Sequence, residues 1–209
     1  TPTTGESLFA LPHRLGIAIP HLCHTPGLRP DGNCRACVVE VAGERTLTAS
    51  CCRTATPGMV VQTDSPRARR SQQMVLEMLL SDMPSKGYQW NEGDASKPHG
   101  ELSQWADQLQ VSVRPALQTL QRAAPLPDAP HLAWHDASHP AMAVNLDACI
   151  QCRRCERACR EEQVNGVIGT AGRGAHSQIV FDLGDPMGAS SCVACGECVQ
   201  ACPTGAISA

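Results

Sequence analysis

Four cysteines at C-x2-C-x2-C-x3-C spacing occur twice in the last third of this 209-residue chain. The first run is Cys149, Cys152, Cys155 and Cys159; the second is Cys192, Cys195, Cys198 and Cys202, with Pro203 behind it. No other feature constrains the fold as much. Thiols this close together are disulfide partners, ligands of one zinc, or ligands of a polynuclear centre. The total of thirteen cysteines is odd, and the chain is long for a disulfide-stapled scaffold. Zinc usually takes its four ligands as two C-x2-C knuckles. Three cysteines at i, i+3 and i+6 instead wrap a loop around three corners of a cuboidal cluster.

The trailing Cys-Pro completes the spacing of bacterial two-cluster ferredoxins, in which the fourth cysteine serves the other cluster. The first copy departs from it only in having Arg160 where proline would stand. The pattern therefore predicts crossed ligation. Cys149, Cys152, Cys155 and Cys202 would hold one [4Fe–4S] cluster, and Cys192, Cys195, Cys198 and Cys159 the other. Arg153, Arg154, Arg157 and Arg160 crowd the first run. They either raise the potential of a negatively charged cluster or face solvent or an acidic partner.

A second group, Cys23, Cys34, Cys37 and Cys51, is spaced C-x10-C-x2-C-x13-C. It departs from the plant-type pattern but keeps the C-x2-C pair and a distant last ligand, which predicts a [2Fe–2S] site. Gly27, Gly32, Pro26 and Pro30 suit a tight loop whose backbone N–H groups face sulfur. Cys52 is left over: a small buried apolar side chain, or an alternative ligand in place of Cys51.

Between these groups, residues 53–148 contain no cysteine. The expected architecture is α+β in three parts. Residues 1–65 form a β-grasp, ferredoxin-like [2Fe–2S] domain, with strands over "CVVEVAG", "RTLTASC" and "PGMVVQTD". Residues 66–140 form a helical and extended connector. Residues 141–209 form a bacterial-type two-[4Fe–4S] domain. In the connector, "SPRARRSQQMVLEMLLSDM" predicts a helix capped by Ser65, with Met74/Met78 and Val75/Leu79 along one face. A shorter helix is expected over "GELSQWADQLQV", loop over "KGYQWNEGDASKPHG", and an extended linker over "RAAPLPDAPHLAWHDASHP". "GTAGRGAHSQ" reads as a loop joining the two cysteine runs.

Only six aromatic residues are present, so hydrophobic burial alone is a poor organiser for this chain and metal centres are the substitute. The net charge of −3 excludes bulk attraction to nucleic acid or anionic membranes. No apolar run of membrane-spanning length and no signal-peptide pattern occurs, and the thiols favour a reducing, cytoplasmic setting. No nucleophile elbow, phosphate loop or dinucleotide fingerprint is present, so no catalytic residues for a substrate or NAD are expected within the chain.

"IPHLCHTPGLRPDGNCRACVVEV…TASC", followed by the paired runs, resembles the iron–sulfur subunits of respiratory complex I and of NAD-reducing hydrogenases. "SHPAMAVNLDACIQC", "RGAHSQIVFDLGDPMG" and "CVACGECVQACPTGA" resemble more closely the N-terminal part of the α subunit of cytosolic NAD-dependent formate dehydrogenases. The resemblance implies an electron relay with two partners. One is a molybdenum or tungsten bis-pterin domain or subunit, the other an FMN- and NAD-binding subunit of diaphorase type. An NAD-reducing hydrogenase, another NAD(P)-linked dehydrogenase, or a docking subunit with non-cycling clusters are the alternatives. It also implies a further cluster on one histidine and three cysteines, but Met83 stands where the histidine would be and Gly100 at the last cysteine. His131, His135 and His139 read as ordinary surface or packing histidines.

Overall fold

The computed structural model describes residues 5–84, 100–118 and 135–209. A short helix, α1 (Ala10–Arg14), leads into a three-stranded antiparallel sheet of β1 (Val38–Val41), β2 (Thr48–Ala49) and β3 (Val61–Gln62), in the order β2-β1-β3. The sequence Val-Val-Glu-Val makes β1 the central strand, since β-branched residues fit a half-buried pleat. Val38 pairs with Ala49 and Val41 with Val61. Val39 and Val41 pack with Leu8, Phe9, Ile19, Cys37 and Cys51, so this small core is partly built from cysteines.

Helix α2 (Pro66–Ser81) starts where the sequence places it, with Ser65 Oγ accepting the Ala68 N–H at 3.2 Å. Its buried face is only partly the expected one: Val75 and Leu79 are half-buried against the core. Met74 and Met78 are exposed, whereas Ala68, Gln72, Leu76 and Glu77 are buried. Residues 68, 72 and 76 are also i, i+4 neighbours, so the helical period holds but the stripe is rotated. A glutamine can occupy the stripe because its Nε2 donates to the carbonyls of Val38 at 2.9 Å and Thr63 at 3.2 Å. Buried polar groups are tolerated when paired in this way. Removing the cap with Ser65→Ala should cost about 1 kcal/mol, read as a lower thermal midpoint with unchanged cofactor absorption.

Helix α3 (Gly100–Gln108) realises the second expected helix, and a single turn, α4 (Pro115–Gln118), follows. The Arg114 backbone N–H and Nε both donate to Glu77 Oε1, at 2.9 and 2.7 Å, which fastens α4 to α2. Leu22, Ala36, Leu76 and Leu102 form a fully buried cluster, with Trp105 and Ile150 against it. One core thus joins the first cysteine loop, α2, α3 and the start of the C-terminal part.

Of the expected extended linker, residues 122–134 lie outside the described residues, as does the loop at 86–99. Its end is not a linker: β4 (His135–Asp136) pairs with β5 (Ala143–Asn145), which pairs with β8 (Ile207–Ser208). The Asp136 carboxylate accepts the backbone N–H groups of Ser138 at 2.8 Å and Met187 at 2.6 Å. The glycine-rich stretch is likewise structured: β6 (Ile168–Ala171) and β7 (Gln178–Phe181) form an antiparallel hairpin around it. Helices α5 (Arg154–Arg157) and α6 (Glu197–Ala201) are short, and α5 runs on into a π-helical turn at Ala158–Glu162. Among the described residues no helix is long and apolar enough to cross a membrane.

Candidate metal centres

All thirteen cysteines are free thiols. Twelve gather at three places. At the first, Cys23 and Cys34 are hydrogen-bonded crosswise: each backbone N–H donates to the other's Sγ at 3.4 Å. The Sγ atoms of Cys37 and Cys51 lie 3.4 Å apart, within hydrogen-bonding distance, and Cys23, Cys37 and Cys51 are buried. In each pair one thiol holds the proton and its partner becomes the better anion. The hydrogen bond from Cys23 lowers Cys34 to about 7, and that from Cys51 lowers Cys37 to about 6. Cys23 and Cys51 are pushed up. Two pairs of adjacent sulfurs fit two irons better than one four-coordinate zinc.

Cys52 is exposed rather than buried, which corrects the apolar reading, and its Sγ lies 3.6 Å from that of Cys51. The loop passes directly over it. Gly32 has a φ of +63°, and a Cβ there would stand 2.8 Å from Cys52 Sγ, so a larger residue would have to displace the Cys52 side chain.

The two C-terminal runs share one backbone design. Gln151 (φ +55°) and Arg153 (φ +60°) of the first correspond to Ala194 (φ +56°) and Gly196 (φ +81°) of the second. Left-handed residues at these points curl the loop so that the Gln151 N–H meets Cys149 Sγ and the Ala194 N–H meets Cys192 Sγ, both at 3.4 Å. Three of the four are not glycine, so no residue type advertised the turn.

Cys149, Cys152, Cys155 and Cys202 line one cavity together, with Leu146, Ile150, Ile179, Pro203, Ala206 and Ile207 as its apolar wall. Cys155 is pushed well up, first by burial and then by Cys152, Cys149 and Cys202 around it; Cys152 is pushed up by burial and by Cys202. Burial raises Cys198 to about 12, with contributions from Cys192, Cys195 and Cys159. The fourth cysteine of each run thus faces the other run. Among the described residues no three Cys, His, Asp or Glu side chains converge closely enough to share one metal ion. A largely apolar pocket with four spread thiols suits a polynuclear sulfide cluster, whereas zinc holds four sulfurs at about 2.3 Å from one point.

At the two positions where the resemblance implies ligands of a further cluster, Met83 and Gly100 have packing roles. Met83 packs, together with Cys149 and Cys202, against Ala148 and Ala206. Gly100 (φ +76°) lies so close to the C-terminal part that a Cβ would stand 2.3 Å from the Pro203 carbonyl oxygen, which accepts the Glu101 N–H at 2.7 Å. His135 Nε2 contacts Asp147 Oδ2 at 2.7 Å, and His139 Nδ1 accepts the Ala141 N–H. These are structural roles; His131 lies outside the described residues.

The arginines of the first run divide in two. Arg153 and Arg160 are partly exposed and pair with Glu156 at 2.8 and 2.9 Å. Arg154 and Arg157 are buried, which composition could not show.

Residues 1–66 match the family described as 2Fe-2S iron-sulfur cluster binding domain, and residues 148–206 the 4Fe-4S dicluster domain. Both ends of the chain thus match iron–sulfur domain families. Over 97% of its length the chain is 30% identical to a subunit of an NADH-quinone oxidoreductase from Rhizobium meliloti and 31% identical to one of an NADP-reducing hydrogenase from Solidesulfovibrio fructosivorans. It spans only 22% and 33% of those proteins. A relative from Staphylococcus haemolyticus that carries a formate dehydrogenase name is 24% identical, and the chain spans 19% of it. The crystal structure of an NAD+-reducing [NiFe]-hydrogenase in the H2-reduced state contains a chain that superimposes with a TM-score of 0.80. That chain is 26% identical, with 100% of this chain and 82% of the other covered.

Proposed function

We propose that this chain is an iron–sulfur electron-transfer segment of an NAD(P)-linked oxidoreductase complex. Cys23, Cys34, Cys37 and Cys51 hold a [2Fe–2S] cluster. Cys149, Cys152, Cys155 and Cys202 hold one [4Fe–4S] cluster, and Cys192, Cys195, Cys198 and Cys159 the other. The observation that carries the reading is the gathering of twelve thiols at three places, one of them a cavity with an apolar wall. The clusters, when bound, supply one-electron chemistry. The protein's own part is to provide thiolates, to exclude water from them, and to hold the centres at a constant separation through the Leu22, Leu76 and Leu102 core.

The source of electrons in this proposal is formate oxidised at a molybdenum or tungsten bis-pterin site, and the sink is an FMN- and NAD-binding partner in the cytoplasm. Support comes from the stretches at 138–152, 173–188 and 192–206 that resemble formate dehydrogenase α subunits. A second reading, an NAD-reducing hydrogenase, is favoured by the whole-length superposition on a chain of that enzyme.

Elemental analysis of the native complex, captured through a tag on this chain, separates the two. Iron should total about ten per copy of this segment in its own clusters (2 + 4 + 4), alongside that of the partners. Molybdenum or tungsten would support formate as the substrate to assay. Nickel would move the chain to a hydrogenase. A chain with no iron and no acid-labile sulfide would end the cluster reading altogether.

A further inference from the structure

Arg154 and Arg157 lie on α5, between the cysteines of the first C-terminal run, and both guanidinium groups reach across to the N-terminal cysteine loop. Arg157 donates to the backbone carbonyls of Cys23 and Arg29, on the N-terminal cysteine loop. Arg154 Nη1 donates to the Leu22 carbonyl at 3.3 Å and to Glu101 Oε2 at 2.7 Å. The two residues are 4% and 5% exposed, and the Nε of each has no hydrogen-bond partner among the described residues. Arg154 has a carboxylate. Arg157 has none within 4.0 Å among the described residues: Glu156 is taken by Arg153 and Arg160, and Glu161 by Arg29. A buried guanidinium with only carbonyl partners is costly to desolvate, because its charge is left uncompensated.

We infer that Arg157 is a positioning residue that joins the N-terminal cluster site to the first C-terminal one, its counter-charge being the clusters on either side. The inference rests on the cluster reading above. A four-thiolate cluster is net negative, and reduction adds one more negative charge. A fixed cation between two such centres favours the reduced form of each and weakens their mutual repulsion. It also couples docking to loading. The carbonyls of Cys23 and Arg29 are held by the same side chain whose helix carries Cys155 and leads into Cys159, while Asn33 Nδ2 donates to the Gln151 carbonyl at 2.9 Å. The Arg29 N–H donates to Glu161 Oε2 at 2.8 Å, so the rim of the loop is held by neutral or paired contacts and the cation is reserved for the interior.

The test compares Arg157→Gln and Arg157→Lys with the unaltered chain in the native complex. Iron and sulfide content is measured first, and then each cluster's midpoint by redox titration followed by electron paramagnetic resonance. The glutamine variant should shift the [2Fe–2S] reduction equilibrium about tenfold toward the oxidised form, about 59 mV for one electron. The lysine variant should stay near the original midpoint. Loss of the [2Fe–2S] signal in the glutamine variant alone would equally support a requirement for charge at this position. Equal midpoints in all three proteins would overturn the inference, as would equal loss of the cluster in both variants, since that would mean hydrogen-bond geometry rather than charge. An unaltered chain without iron would instead defeat the cluster reading on which it rests.

Discussion

Cys159→Ser is expected to remove the cluster held by the second cysteine run, not that of the first run to which it belongs in sequence. Cys159 is buried on the π-helical turn, in a core that it shares with both Cys155 and Cys198, and it is among the charges that act on Cys198. Cys202, at the end of the second run, lines the cavity of Cys149, Cys152 and Cys155. Iron attributable to this segment should fall from about ten to about six, with matching loss of sulfide. The decisive comparison is spectroscopic. Cys159→Ser and Cys198→Ser should lose the same paramagnetic signal, and Cys202→Ser and Cys155→Ser the other. If Cys159→Ser instead matches Cys155→Ser, the ligation is not crossed.

Gly100→Val should separate the N-terminal part from the C-terminal one. Two costs combine at this position. A β-branched residue at φ +76° is strained by about 1–3 kcal/mol. Its Cβ would also stand 2.3 Å from the Pro203 oxygen, an overlap relieved only by moving backbone. The Glu101 N–H to Pro203 bond and the Arg154–Glu101 ion pair lie beside it and would go with the displacement. Gly58→Val supplies the control, for its φ is +85° and a Cβ there meets nothing within 4 Å. Thermal unfolding should show a small loss for Gly58→Val and a much larger one for Gly100→Val. Limited proteolysis should cut the latter between its two modules. Similar losses in the two variants would show that the Pro203 contact contributes little.

These expectations differ in how far they could be reached from residues alone. The Ser65 cap and α2 were legible because a cap and a helical period are local properties, carried within a few residues. The buried side of α2 was not. Leu76 is inside and Met78 outside because Leu22, Ala36 and Leu102 arrive from other segments to meet the former. Cys51 and Cys52 are adjacent and chemically identical. Only the path of the loop at Gly32 puts one in the core and the other at the surface. The linker reading failed at β4 for a similar reason: two residues, His135 and Asp136, become a strand by pairing with β5, not by any propensity of their own.

The amino-acid sequence by itself determined how many thiols there are and how they fall into three groups. Ligand spacing is a short-range constraint, and iron–sulfur loops are recognised by it. Which four sulfurs share a cavity, which arginines are buried, and how the two modules touch were decided by the tertiary structure. Each of these depends on groups far apart in the chain. The Arg157 to Cys23 contact joins residues 134 positions apart in the sequence, and the close approach of Gly100 to Pro203 needs two backbones packed without a side chain between them. Spacing along the chain carries no record of such meetings, because they are set by packing among surfaces that exist only after the segments have folded.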